Sequence, residues 1–365
     1  MISVIVPTRN EAANVQLLAE GVHQALGATC HEVLFVDDSD DETPAVLGHL
    51  AKVDPLVRFR HRARSDGLAG AVLEGFLACR GEILAVIDAD LQHPPQCLAS
   101  LLAQIQAGAD IAVGSRFVPG GDDGGLAPAR KLVSLAARAL VHGALARTRA
   151  VRDVTSGCFM VRRSVVEGAP LEATGWKVLV EVLQSGRYAR VAEVPLGFAR
   201  RHAGRSKLTW RESFTLLRQV TRLVRKSAKD RRPALFVTVG LSGVGVNTLV
   251  FLLAHRLATL PIPVAAAVSA ASAMGSNIFL HDRFTFVDRW SGAPPLRAFR
   301  AAGVQLVGIV IDALTAGELH RAAAVAAVIA NLGGILAASI WNYALFHYAV
   351  WRTAPDLVED SSVPP

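Results

Sequence analysis

At 365 residues the chain has room for one mid-sized catalytic domain and a smaller second unit. Hydrophobic residues make up 52% and charged residues only 19%, with a mean hydropathy of +0.36, which excludes an ordinary soluble composition and points to membrane helices. The formal net charge of +7 admits nucleic acid, anionic lipid or phosphate as partners, and only the position of the charges separates them.

The chain opens on Met1-Ile2-Ser3-Val4-Ile5-Val6-Pro7, which lacks the basic start and long apolar run of a signal peptide and reads as a short buried strand. Further Val- and Ile-rich runs at 32–36, 83–87 and 110–113 alternate with helical patterns at 11–26, 68–79 and 95–107. Strand and helix in alternation predict an α/β domain with a mostly parallel sheet. The strands are apolar throughout, as expected when helices cover both faces. Ligands of such sheets bind beyond the carboxyl ends of the strands, where Asp37-Asp38 and Asp88 stand.

Cys30, Cys79, Cys97 and Cys158 form no C-x-x-C pair and have no histidine at zinc spacing, so they read as reduced thiols packed as small hydrophobes. Residues 119–128 form a Gly- and Pro-rich loop, either a flap over a site or a plain surface connection. Over 208–230, Trp210, Phe214, Leu217, Val220 and Val224 lie near one helical face, with Arg211, Arg218, Arg222 and Arg225 over much of the rest. This predicts an interfacial helix on anionic headgroups, against the alternative of a helix packed on the domain with a solvated basic face.

Four apolar stretches follow, at about 234–254, 262–281, 301–317 and 324–350, each near the roughly 20 residues that a bilayer core requires. Arg225, Lys226, Lys229, Arg231 and Arg232 precede the first, and Arg283, Arg289, Arg297 and Arg300 lie between the second and third. The positive-inside rule then predicts a multi-pass protein with its N-terminal domain, its 282–300 loop and its tail in the cytoplasm. Because these charges fall where that rule needs them, nucleic acid is not an expected partner.

The strongest chemical signal is Asp88-Ala89-Asp90-Leu91-Gln92-His93-Pro94-Pro95, directly after a buried strand. Two carboxylates at spacing two can converge on one Mg²⁺ or Mn²⁺, hard cations that also bind phosphate oxygens and would neutralise a diphosphate leaving group.

With its neighbours this segment resembles glycosyltransferase family 2, and within it the dolichol-phosphate (polyprenyl-phosphate) mannosyltransferases. The resemblance covers nearly all of residues 1–210. Val6-Pro7-Thr8-Arg9-Asn10-Glu11 resembles the opening P-T-Y-N-E, Val36-Asp37-Asp38-Ser39 resembles V-D-D-x-S, and Gly67-Leu68-Ala69-Gly70-Ala71 resembles G-L-G-x-A. Gly114-Ser115-Arg116 resembles G-S-R-Y, Arg130-Lys131-Leu132-Val133-Ser134 resembles R-K-L-x-S, and Asp153-Val154-Thr155-Ser156-Gly157-Cys158-Phe159 resembles D-P-x-S-G-F-F. Arg201 to Leu208 resembles R-x-x-G-x-S-K-L.

The resemblance implies a Rossmann-like GT-A catalytic domain followed by an all-α transmembrane domain. It implies that Pro7, Arg9, Glu11, Asp37, Asp88, Asp90, Arg201 and Lys207 bind the nucleotide sugar, and that Asp88, Asp90 and Gln92 hold the metal. Arg116, Arg130 and Ser134 would receive the lipid phosphate, with Asp90, Arg116 and Arg130 as the catalytic residues. Arg supplies forked donors suited to phosphate. Arg9 stands in place of the usual Tyr, the Asp37–Thr43 segment is one residue shorter than the common form, and Val154 and Cys158 replace Pro and Phe.

A phosphate monoester acceptor is already anionic at neutral pH, so no dedicated general base is expected. Catalysis would come from positioning and charge neutralisation, with in-line attack and inversion. GDP-mannose is the expected donor, because the S-K-L ending differs from the S-K-Y of relatives using UDP-glucose or a modified arabinose, which remain the alternative donors. A processive polysaccharide synthase is disfavoured, since its Q-x-x-R-W signature is absent.

Among weaker features, His61, His93 and His202 read as polar contacts. Arg58, Arg60, Arg62 and Arg64 alternate, as on a solvated edge strand or a phosphate-binding face. Glu181 follows Gly175-Trp176-Lys177, resembling the family's G-F-K…E, with a structural or a catalytic role. The membrane half resembles the four-span GtrA-like family through Ser276 to Phe286, and Trp341-Asn342-Tyr343-Ala344-Leu345-Phe346 looks like a second, degenerate copy, which implies a repeat of helix pairs. Asp312 falls near the end of the third span, and Asn247, Asn277 and Asn331 are candidates for hydrogen bonds between helices.

The expected organisation is a glycosyltransferase domain at 1–207, an amphipathic juxtamembrane helix at 208–231, a GtrA-like domain at 232–352 and a cytoplasmic tail at 353–365. The expected partners are a nucleotide sugar, a polyprenyl phosphate lipid and the membrane, with homo-oligomerisation through the membrane domain. A role of the membrane half in translocating the glycolipid is the further alternative.

Overall fold

A computed structural model describes residues 1–63, 65–125, 128–173, 175–199, 210–287, 289, 294–322 and 327–351. The chain forms two compact units, Met1–Lys226 and Ser227–Pro365.

The first unit alternates strands and helices as the sequence predicts. Strands β1 (Ile2–Thr8), β2 (His31–Asp37), β3 (Val57–His61), β4 (Ile83–Val86) and β5 (Ile111–Ser115) are interleaved with helices α1 (Val15–Leu26), α2 (Thr43–Val53), α3 (Leu68–Ala78) and α4 (Cys97–Gln106). Beyond β5 come α5 (Pro128–Ala144), β6 (Phe159–Arg162), the one-turn α6 (Arg163–Val166), α7 (Val178–Ser185), β7 (Val191–Pro195) and α8 (Trp210–Lys226). The sheet order is β3-β2-β1-β4-β6-β5-β7, and β6 runs antiparallel to both neighbours while the other pairings are parallel. The carboxyl ends of β1, β2, β4 and β5 therefore share one edge of the sheet.

Alternate residues of each strand feed two cores. Val4 and Val6 of β1 pack with Val15 and Leu18 of α1 and Leu98 and Leu101 of α4. Ile5 points to the opposite face, which Ala69, Val72 and Phe76 of α3, Leu179 of α7 and Leu216, Val220 and Leu223 of α8 cover. Burial on both faces is the physical reason why these strands read as unbroken apolar runs.

Two ambiguous segments are resolved here. On and just beyond edge strand β3 the alternating arginines are ion-paired: Arg58 to Glu32 at 2.6 Å, Arg60 to Glu74 at 2.5 Å and Arg62 to Asp38 at 2.5 Å. Arg64 lies outside the described residues. Helix α8 divides its apolar residues. Leu216, Val220 and Leu223 enter the core, whereas Phe214 and Leu217 are 61% and 45% exposed. On its basic side Arg222 and Lys226 pair with Glu172, and Arg222 also reaches Glu181. This helix thus packs on the α/β unit and still presents an apolar patch outward.

The second unit contains helices α9 (Ala228–Leu252), α10 (Ile262–Leu280), α11 (Pro294–Ala322) and α12 (Ala327–Leu345). Ser227 caps α9 by accepting from the Asp230 N–H. Among the described residues one helix, Ala228–Leu257, is long and apolar enough to cross a membrane. Helices α10 and α12 each run on into a wider π turn, at His281–Thr285 and Phe346–Val350. One constant sequence offset carries Gly243, Asn277, His281 and Phe286 onto Gly308, Asn342, Phe346 and Trp351, so the expected repeat is present as two helix pairs. In each pair an asparagine amide lies against a glycine of the preceding helix, where a Cβ would come within 2.5 Å of the amide oxygen. Among the described residues the Asn277 and Asn342 Oδ1 atoms have no hydrogen-bond partner, and close packing of each amide on its glycine brings the helices together there. Asp312 and Asn331 have side chains outside the described ones.

The ends of α10 and α12 meet. Asp282 takes Arg297 at 3.1 Å and the Trp351 indole N–H at 2.9 Å, while Arg289 donates to the His347 carbonyl at 2.6 Å. Phe236, near the start of α9, stacks on His281 and meets Phe346 edge-on. The start of α9 and the ends of α10 and α12 therefore lie at one end of this unit.

Candidate active site

The acidic segment leaves β4 through the buried Ile87 and turns sharply. Leu91 adopts a left-handed backbone, φ 60°, which is costly for a residue with a branched side chain and is held here by its surroundings. The turn lets Asp90 Oδ1 accept from the Gln92 N–H at 3.1 Å. Asp90 is buried and Asp88 half-buried. The backbone of Gln92 accepts from the Ala199 N–H at 2.9 Å, and its Nε2 donates to the Ala199 carbonyl at 3.5 Å. His93 is buried edge-on against Phe198, with Nδ1 3.4 Å from Asp88 Oδ2. Burial lowers its pKa to about 4, so the ring is neutral at physiological pH. Among the described residues no group of three or more His, Cys, Asp and Glu side chains forms a metal cage.

Arg116 is the first residue beyond β5. Its Nε donates to Asp153 Oδ2 at 2.7 Å, its Nη2 to Asp153 Oδ1 at 2.9 Å and to Thr155 Oγ1 at 3.2 Å, and its backbone N–H also meets Asp153 Oδ2. Asp153 is fully buried. Burial acts to raise its pKa, but Arg116 outweighs that and holds the carboxyl below the usual range. The backbone N–H groups of Arg152 and Asp153 are in turn taken by Glu193 of β7. The arginine is thus preset in a fork, with the rings of Phe117 and Phe198 about it at 5.4 and 5.5 Å.

The segment 153–157 joins the acidic and basic halves of the site. At one end Asp153 holds Arg116. At the other, Gly157 faces the Asp88 carboxylate so closely that any Cβ there would collide with it. A side chain at that position would require the Asp88 carboxylate to move. Behind it Cys158 and Cys97 bring their Sγ atoms to 2.8 Å, both buried and both free thiols.

At the ends of β1 and β2 the chains are tied to each other. Asn10 has φ 56° and exchanges hydrogen bonds with Asp40, donating from Nδ2 at 2.6 Å and accepting from its N–H at 3.1 Å. Asp37 is fully buried, with Ser39 Oγ donating at 2.5 Å and His61 Nδ1 at 2.7 Å, so it anchors this corner from beneath. Pro7 is buried, Arg9 exposed, and Glu11 half-buried with Asn14 Nδ2 donating to it at 2.6 Å.

Of the residues named from sequence, Asp88, Asp90, Gln92 and Arg116 share the carboxyl edge of the sheet with Pro7 and Asp37. Ser134 is half-buried on α5. The Arg130 side chain, Arg201, His202 and Lys207 lie outside what the structure describes. Sequence reasoning assigns no role to Asp153 or Lys177, and it passes over Arg138, one turn beyond Ser134, whose guanidinium lies 4.8 Å from the Phe117 ring. A carboxylate in a fixed motif with no chemistry assigned to it was the available signal for Asp153.

Comparison with known proteins accords with this geometry. Residues 3–168 match the family described as glycosyl transferase family 2, and residues 235–351 match the GtrA/DPMS transmembrane domain. The chain is 35% identical to a dolichol-phosphate mannosyltransferase of Pyrococcus furiosus, over 96% of this chain and 99% of that one. It is 37% identical to a polyprenol monophosphomannose synthase of Mycolicibacterium smegmatis, over 56% of this chain and 80% of that one. Its fold resembles the crystal structure of mannosyl-3-phosphoglycerate synthase from Rubrobacter xylanophilus, with a TM-score of 0.50 and 20% identity over 62% of this chain and 74% of that one. The chain therefore belongs to glycosyltransferase family 2, in the group of polyprenyl-phosphate mannosyltransferases whose catalytic domain is joined to a GtrA/DPMS transmembrane domain.

Proposed function

We propose that this glycosyltransferase transfers mannose from GDP-mannose to a polyprenyl phosphate, with inversion at the anomeric carbon. One observation carries the reading: the segment 153–157 brackets an acidic pair, Asp88 and Asp90, and a preset guanidinium, Arg116, at neighbouring strand ends. A diphosphate leaving group and a phosphate nucleophile are what such opposed charges can bring together. The near-complete alignment with the Pyrococcus furiosus mannosyltransferase supports mannose as the sugar.

Asp88, Asp90 and Gln92 fit a divalent cation of the Mg²⁺ or Mn²⁺ kind. All three offer hard oxygens, and Leu91 holds a strained turn between two of them. The lack of a complete protein cage among the described residues suits an ion that shares its ligands with substrate phosphates. When bound, the cation would offset the charge of the departing nucleoside diphosphate. Pro7, Arg9, Glu11 and the Asp37 corner would line the base and ribose, with Arg201 and Lys207 closing over the phosphates. Arg116, Arg130 and Ser134 would seat the lipid phosphate. No protein base is needed, because the acceptor is already an anion and Asp153, locked on Arg116, is held ionised.

The four helices would span the bilayer as two pairs, with the catalytic unit on the cytoplasmic face. Contact between the start of α9 and the ends of α10 and α12 supports this arrangement. Phe214 and Leu217 on α8 would enter the lipid interface.

The test is to incubate membranes holding the full chain with polyprenyl phosphate, Mg²⁺ or Mn²⁺, and radiolabelled GDP-mannose or UDP-glucose in parallel. Label extracted into organic solvent from GDP-mannose, lost on chelation and in Asp90→Ala, is the expected result. Label from UDP-glucose alone would move the donor to the alternative, and label from neither would overturn the proposal.

A further inference from the structure

The motif Gly175-Trp176-Lys177…Glu181 has no part in the chemistry above, yet it spans the distance between Arg116 and helix α8. On the site side, Lys177 Nζ donates to the Thr155 carbonyl at 2.6 Å. Thr155, itself buried, accepts from Arg116 Nη2 and donates to Asp153 Oδ1. Lys177 Nζ also lies 3.8 Å from the centroid of the Trp176 ring, so its long side chain is gripped along its reach.

On the other side, the Lys177 carbonyl accepts from Gln219 Nε2 at 3.2 Å, and Gln219 is a fully buried residue of α8. One turn along α7, the buried Glu181 takes Arg222 of α8 at 2.5 Å, Gln219 Nε2 at 3.4 Å and the Glu172 N–H at 3.2 Å. Gly175 has φ 89°, and the Gln219 amide occupies the place where its Cβ would stand. The members of the motif thus divide the work. Glycine admits α8, glutamate fastens it, and lysine reaches back to the arginine cradle.

We propose that Lys177 is a positioning residue that couples the seating of α8 to the guanidinium of Arg116. The proposal rests on the reading of Arg116 as the lipid-phosphate ligand and of α8 as the helix at the lipid interface. If α8 shifts, Glu181 is left as a buried carboxylate short of its cation and the Lys177 carbonyl loses its donor. The segment 175–177 then has no reason to hold Nζ on Thr155, and the fork on Arg116 loosens. The domain is in this way set for the acceptor only when its interfacial helix is in place.

The test uses the full chain in lipid nanodiscs. Lys177→Met removes one charge-assisted hydrogen bond and should raise KM for polyprenyl phosphate roughly tenfold while leaving KM for the nucleotide sugar within about twofold, and Lys177→Arg should restore most of the loss. Gln219→Leu should act in the same direction, and the double variant should be no worse than the worse single one. Equal changes in both KM values, or additive effects of the two substitutions, would overturn the coupling. Hydrogen exchange over 153–158 supplies a readout that needs no turnover. It should quicken in both single variants, and unchanged exchange would sink the proposal even if the activity proved to be another. Failure of the wild type to transfer sugar would count against the function instead.

Discussion

The guanidinium of Arg116 and the carboxylate of Asp153 form a two-pronged ion pair, at 2.7 and 2.9 Å, whose acidic member is wholly out of solvent. An arginine held this way keeps one orientation, with its guanidinium fixed against the carboxylate. Asp153→Ala should destabilise the catalytic unit by about 3–5 kcal/mol, because a buried cation is left without its partner. Asp153→Asn, which keeps the shape, should unfold less readily than the alanine variant and show its defect as a raised KM for the lipid phosphate. Thermal unfolding of the full chain in detergent, together with initial-rate kinetics, separates the two effects.

The metal reading predicts that Asp88→Asn and Asp90→Asn each lower kcat/KM by roughly a hundredfold or more, in keeping with the several kcal/mol that such a cation supplies. Mn²⁺ binding followed by electron paramagnetic resonance should be weak without nucleotide and strengthen with GDP, since the described residues form no full protein cage. Tight Mn²⁺ binding by the apo chain would contradict the shared-ligand account.

Acid should loosen this unit. Asp153 and Glu32 both have folded pKa values below their ordinary 3.8 and 4.5, because Arg116 in one case, and Ser3 with Arg58 in the other, outweigh the burial that would raise them. A lowered carboxyl adds stability above its unfolded pKa and loses it as pH falls through the folded value. The unfolding midpoint should therefore hold from neutrality to about pH 4.5 and fall below that, with a shallower acid limb in Asp153→Asn. A midpoint that improved on acidification would refute the assignment.

In the membrane unit, Gly243→Leu and Gly308→Leu should each weaken a helix pair by about 1–3 kcal/mol, since the new side chain would displace an asparagine amide already in contact. Gly245→Leu, two residues away with open space about its Cβ position, is the control and should leave resistance to detergent denaturation unchanged.

Much of this architecture was legible from local pattern. β1, β2, β4 and β5 announce themselves as apolar runs because both their faces are covered, and the turn after β4 carries its acidic residues in plain sight. β6 and β7 do not, being defined by the partners they meet: β6 exists by inserting antiparallel between β4 and β5. Arg58, Arg60 and Arg62 look like a phosphate comb in one dimension and become three ion pairs in three, because Glu32, Glu74 and Asp38 come from other elements. The bond between Arg116 and Asp153 has no periodicity to betray it. Helix α8 read as amphipathic, and it is, but its apolar residues face two ways, with Leu216, Val220 and Leu223 inward and Phe214 and Leu217 outward.

One thiol stands apart from the other three. Cys30 is exposed just before β2, at the amino-terminal edge of the sheet, while Cys79, Cys97 and Cys158 are buried. A maleimide dye added to the native protein should therefore couple at a single position, far along the strands from the edge that carries Asp88 and Arg116. The wild-type chain comes with its own attachment point for fluorescence or surface tethering, and turnover can be watched on labelled molecules without first stripping cysteines from the core.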